Sequence, residues 1–190
     1  MDYGKYKNAR NASWKCILDY NVNSLPVMVT DIVKQSRNIK LFKNSDINKL
    51  PNGKSGITIS HNRKFNIIYN DTESSNRCRF TIAHELGHIF LGHLLINTPE
   101  YKTFSMRGDI ENEANVFARD LLAPACVLHE LQTFTARDIS KLCNISLESA
   151  RYREKRMHDL ELRGDWYLHP LERQIREQFD DYIKSKKAEQ

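Results

Sequence analysis

The sequence predicts an α+β fold: a small mixed sheet, a central helix apolar on nearly every side, and a helical region that completes the chain. Three observations carry this expectation. Two β-branched runs flank a polar turn in GITISHNRKFNIIYN (56–70), which reads as a hairpin. The stretch TIAHELGHIFLGH (81–93) has apolar residues all round a helix, as an interior helix does. Beyond residue 125 the apolar residues recur at helical spacing, without alternating runs.

In chain order, residues 6–19 have a helical pattern, and NSLPV around Pro26 breaks it before a second short helix over 27–35. IKLF (39–42) suits a strand ahead of the hairpin. NDTESSN (70–76) supplies turn and cap chemistry, so the central helix should start near Ser74 or Ser75. At about 100° per residue, Ile82, Leu86 and Ile89 fall on one side of it, with Phe80, Ala83, Phe90 and Leu91 spread over the other. HLLINTPEYKTFSMRGD (93–109) reads as an irregular connection, and IENEANVFARDLLAP (110–124) as a helix stopped by Pro124. Two or three small helices are expected over 128–162. A last amphipathic helix over 170–187 carries Leu171, Ile175, Phe179 and Tyr182 or Ile183 on one face. The expected division is a core of residues 1–125 and a helical region of residues 126–190.

Composition narrows the function. With 190 residues, 40% hydrophobic and 28% charged, the chain is ordinary globular material. No run of about 18 apolar residues occurs, and MDYGKYKNARNAS lacks the apolar block of a signal peptide, so a cytoplasmic protein without membrane contact is expected. Cys16, Cys78, Cys126 and Cys143 are scattered with no CxxC pair, which argues against a zinc ribbon or a disulfide framework and for buried thiols. The net charge of +5 sits in residues 1–45, with eight Lys/Arg against three Asp/Glu, and the remaining 145 residues are balanced.

The polarity inside the central helix needs an explanation, because ionisable groups in a buried helix are costly unless paired or ligated. His84 and His88 are four apart and share a face, with Glu85 between them: the HExxH arrangement. Two such imidazoles can hold Zn²⁺, which activates water, and Glu85 is placed to take the water's proton. Five residues with three fixed positions also occur by chance, so the third ligand matters. Gly92 and His93 stand four and five residues beyond His88, where the metzincin pattern needs three and six. Cys78 is too near His84 to act as a separate upstream ligand. Glu111, Ala114 and Asn115 fit the Glu-x-x-Ala-Asp/Asn pattern of a gluzincin-type site, with Glu111 as ligand, Ala114 allowing close helix approach and Asn115 orienting a ligating histidine. Glu113, about 200° away, reads as a solvated charge. Arg77 and Thr81 lie on the stripe of His84 and His88 and are cleft candidates. Tyr69, His93 and Tyr101 are candidates for holding an oxyanion, with His93 favoured as a capping or core-edge residue.

SLPVMVTDIVKQ, GITISHNRKFNIIYND, RCRFTIAHELGHIFLGH and ENEANVFARDLLAP, in this order, resemble the ImmA/IrrE family of bacterial and phage metallopeptidases. The resemblance implies a zincin-like core, zinc on His84, His88 and Glu111, and Glu85 as general base. It also implies site-specific cleavage of a helix-turn-helix repressor from a phage or mobile element, with relief of repression. A substrate strand could add to an edge near GITIS.

One segment suggests a different activity. TARDISKLCNISLESARYREKRM (135–157) is helix-turn-helix-like, with Thr135 and Asp138 as a capping box and Ser146 capping a second helix. A DNA- or protein-binding regulator with a structural zinc is the competing reading. Seven Lys/Arg against five Asp/Glu over 135–163 make a weak footprint for DNA, and packing or partner recognition is favoured there.

Overall fold

The computed structural model describes residues 5–94, 101–102 and 108–189. The protein is α+β and divides into two units, Met1–Ala12 with Met28–Ala118, and Ser13–Val27 with Arg119–Gln190. Residues 13–27 thus group with the C-terminal part, although the sequence suggests one N-terminal block to residue 125. Helix α1 is Lys7–Asp19.

In the first unit, α2 (Val29–Gln35) leads into β1 (Ile39–Lys43), and a single turn, α3 (Asn44–Ile47), follows. The hairpin is β2 (Gly56–His61) and β3 (Lys64–Tyr69). Asn62 and Arg63 both take positive φ, 48° and 58°, the two-residue turn whose twist matches paired strands. Strand β4 (Tyr101–Lys102) falls inside the stretch expected to be an irregular connection (93–109), of which residues 108–109 are helical and residues 95–100 and 103–107 lie outside the described residues. The sheet order is β1-β3-β2-β4, with β1 parallel to β3 and the other pairs antiparallel.

Helix α4 (Ser75–Phe90) packs on β2 and β3 and buries Ile82, Ala83 and Leu86. It ends because Gly92 adopts φ 75°, which returns the chain: Gly92 N–H donates to Ile89 C=O and His93 N–H to His88 C=O. Helix α5 (Gly108–Leu122) follows, with Phe117 stacked on Phe90 at 5.9 Å between ring centres.

The second unit holds α6 (Ala125–Glu130), α7 (Ala136–Cys143), α8 (Leu147–Arg163), α9 (Pro170–Gln178) and α10 (Asp180–Ala188). Thr135 caps α7 by accepting from the Asp138 N–H, Asn144 closes it in the left-handed region, and Ser146 caps α8. The last helix expected from sequence is two: the chain kinks at Phe179, whose buried ring occupies the core while Asp180 and Asp181 begin a new first turn.

Arg153 stands where the pattern of α8 calls for an apolar residue, and it is 3% exposed. Its Nη2 donates to Asp120 Oδ1 at 2.7 Å and to the Arg119 carbonyl at 2.9 Å. One arginine of the helix-turn-helix-like segment is therefore committed to the interior. Replacing it by leucine should cost about 3–5 kcal/mol, because the Asp120 carboxylate stays buried without its partner. Urea unfolding of R153L measures this, and the double variant R153L/D120L should recover much of the loss. A single-variant loss below about 1 kcal/mol would show that the pair is dispensable.

Candidate metal centre

Two helices supply the donors. On α4, the four-residue spacing puts His84 and His88 on one face, with their Nε2 atoms 3.0 Å apart. On α5, Glu111 brings Oε2 to 3.2 Å from His84 Nε2 and Oε1 to 3.5 Å from His88 Nε2. The three residues form one group of potential metal ligands. A tetrahedral zinc with bonds of about 2.0–2.1 Å has ligand–ligand edges of about 3.3 Å, so the donor set and its spacing fit that ion.

The approach of the helices depends on Gly87. A Cβ there would lie 3.1 Å from Ala114 Cα, 3.2 Å from Ala114 O and 3.2 Å from Phe117 Cβ. Two effects oppose each other in Gly87→Ala. Helix propensity favours alanine by about 1 kcal/mol, whereas overpacking against a buried backbone costs about 1–3 kcal/mol. The contact is with main chain, which cannot rotate away, so the second effect should win: G87A is expected to melt lower and bind metal more weakly. A more stable variant with unchanged metal affinity would refute this account of the spacing.

The imidazoles are held from behind. His84 Nδ1 is 3.0 Å from Asn115 Oδ1, so the ring donates there and leaves Nε2 unprotonated toward Glu111. His88 is fully buried, and burial, followed by the neighbouring His84 and His93 rings, pushes its imidazole down to about 3. It is neutral at neutral pH, with a lone pair available to a cation. His93 lies behind His88, with Nδ1 3.0 Å from His88 Nδ1 and Nε2 3.0 Å from Glu113 Oε2.

Glu85 is 3% exposed, and its Oε2 accepts from the Thr58 hydroxyl at 2.8 Å. It opens onto a cleft of about 410 Å³ with Arg77, Phe80, Thr81 and His84 of α4, Glu111 and Asn115 of α5, and Gly53–Gly56 ahead of and at the start of β2. A Cβ at Gly56 would collide with the Thr81 methyl, so the glycine lets β2 run close beside Glu85. Arg77 Nη2 donates to Ser55 Oγ at 3.0 Å across the mouth.

The expected residues separate into two groups. His84, Glu85, Glu111, Asn115, Arg77 and Thr81 come together on the cleft, and His88 completes the ligand group beneath it. Tyr69, at the end of β3 opposite Gly56, and His93 are not among the residues lining the cleft. The side chain of Tyr101 lies outside the described residues. Thr58 and Glu113 were not anticipated as parts of the site: a threonine in a β-branched run reads as strand material, and Glu113 points away from Glu111 on its helix.

An α+β domain with two histidines and a glutamate converging from two helices, and a buried carboxylate beside them, has the donor set of a metal centre. Residues 39–155, more than half of the chain, match the IrrE N-terminal-like domain of peptidase M78, and the chain belongs to that family. A search of the curated proteins finds no match. Among the described residues, no helix is long and apolar enough to cross a membrane.

Proposed function

We propose that this chain is a zinc-dependent endopeptidase of the cytoplasm that cleaves a helix-turn-helix repressor of a phage or mobile element and so relieves repression. The observation that carries the enzymatic reading is the convergence of His84 Nε2, His88 Nε2 and the Glu111 carboxylate within 3.0–3.5 Å, beside a buried carboxylate that a purely structural metal site would not need. The choice of substrate is supported by the family resemblance. Zinc bound there supplies a Lewis acid and lowers the pKa of water from about 16 to about 7. Glu85, oriented by the Thr58 hydroxyl, takes the proton from the attacking water and passes it to the leaving amine nitrogen. Asn115 keeps His84 in its ligating tautomer.

The register of the sheet supports strand addition by the substrate at the edge of β2 that faces away from β3. Asn70 N–H donates to Ser55 C=O, so by the two-residue alternation of an antiparallel pair Ser55, Ile57 and Ile59 direct their main-chain groups to β3. Gly56 and Thr58 turn theirs to the other edge, where, among the described residues, β4 pairs with Ile59 and Ser60. Proline at Ile57 or Ile59 would therefore break the hairpin rather than the docking edge, and the informative change belongs in the substrate.

The test is to incubate the zinc-loaded protein with a helix-turn-helix repressor encoded beside it and read fragments by mass spectrometry. A peptide spanning the cut and its backbone N-methylated counterparts are then compared. One dominant cut, abolished by chelator, is expected, with at least one N-methyl group next to the cut lowering kcat/KM at least tenfold. Absence of fragments from the metal-loaded protein counts against the peptidase reading, and uniform cleavage of the N-methylated series counts against strand addition.

A further inference from the structure

We propose that Glu113 and His93 are positioning residues of the metal centre, forming a proton-ordered chain from Glu113 through His93 to His88 that fixes the tautomer and ring plane of the buried ligand. The proposal rests on the reading that His84, His88 and Glu111 hold a divalent cation. For His88 Nε2 to bind a metal it must carry a lone pair, so the neutral ring has its proton on Nδ1. That N–H faces His93 Nδ1 at 3.0 Å and makes it the acceptor. The neutral His93 ring then carries its proton on Nε2, which faces Glu113 Oε2 at 3.0 Å. Ligation thus dictates every proton in the chain, and the chain ends on an acceptor. A donor at position 113 would reverse the order and place a proton on the ligating nitrogen.

Burial makes this ordering consequential. His88 is 0% exposed and His93 is 8% exposed, so neither ring can exchange its partner for water without opening the core. His84 has its own support in Asn115, and the two histidines are therefore held by separate partners, one neutral amide and one relayed carboxylate. Outer-shell partners of this kind typically contribute about 10- to 100-fold to metal affinity.

The test compares the full-length wild type with E113A, E113Q and H93F. It measures Zn²⁺ and Co²⁺ affinity by competition with a chromophoric chelator, the visible spectrum of the cobalt form, and melting of the apoprotein. E113A should bind metal about 10- to 100-fold more weakly with an altered cobalt spectrum. E113Q, whose amide carbonyl can still accept from His93, should recover to within about fivefold of wild type. H93F, which removes the link while leaving Glu113 in place, should be as weak as E113A or weaker. A merely structural role would lower the apoprotein melting temperature without changing the affinity of the folded protein, and that result overturns the proposal. An E113A affinity within threefold of wild type, or a loss that E113Q does not recover, overturns it as well. Failure of the peptidase reading is seen separately, as absence of cleavage by metal-loaded wild type.

Discussion

Glu85→Gln should retain one metal per chain and lose about a hundred- to ten-thousand-fold in cleavage rate, the usual cost of removing a positioned general base. Glutamine has the same shape and can still receive the Thr58 hydroxyl, so the fold and the three ligands should be undisturbed. The retained function is metal binding and the lost function is proton transfer. Metal analysis together with single-turnover cleavage of the substrate peptide separates the two. A variant that binds metal and cleaves at the wild-type rate would remove Glu85 from the chemistry. A metal-free variant would mean that the carboxylate serves the site's structure.

Glu111→Ala should lower metal affinity by more than about a hundredfold, beyond the range for outer-shell partners. Its carboxylate faces both Nε2 atoms, and its removal leaves two imidazoles 3.0 Å apart with no anion to balance a dication. The side chain is 37% exposed, so truncation should cost little stability, and loss of metal would not be confused with unfolding. Chelator competition with equilibrium melting gives both quantities. Retention of tight binding would place the third ligand elsewhere and refute the His-His-Glu assignment.

The sheet hairpin and the central helix were legible because their signals are local. The β-branched runs either side of His61–Lys64 and the helix start after Ser74 are read within a few residues. That Glu111 would face His84 and His88 was legible by spacing, since Glu, Ala and Asn at offsets of zero, three and four define one helical face. The relay was not. The place of His93 depends on a left-handed glycine that reverses the chain, and a helical wheel continued through Gly92 puts the ring elsewhere. The support of Glu85 by Thr58 was equally hidden, because it joins residues 27 apart through the packing of a strand on a helix. The grouping of residues 13–27 with 119–190 depends on long-range partners. Gln178 Nε2 donates to the Ile17 and Val22 carbonyls and Tyr182 to the Leu25 carbonyl, contacts with no pattern in either segment alone.

The reversal at Gly92 also gives the span from His88 to His93 a fixed length. One residue inserted before the glycine would turn His93 by about 100° and shift it by about 1.5 Å along the helix axis, carrying its ring off the rear of His88. Deleting one would turn it as far the other way. This stretch should therefore tolerate changes of side chain far better than changes of length, and a motif search that allows a variable gap after HExxH would discard the spacing that gives the third histidine its place.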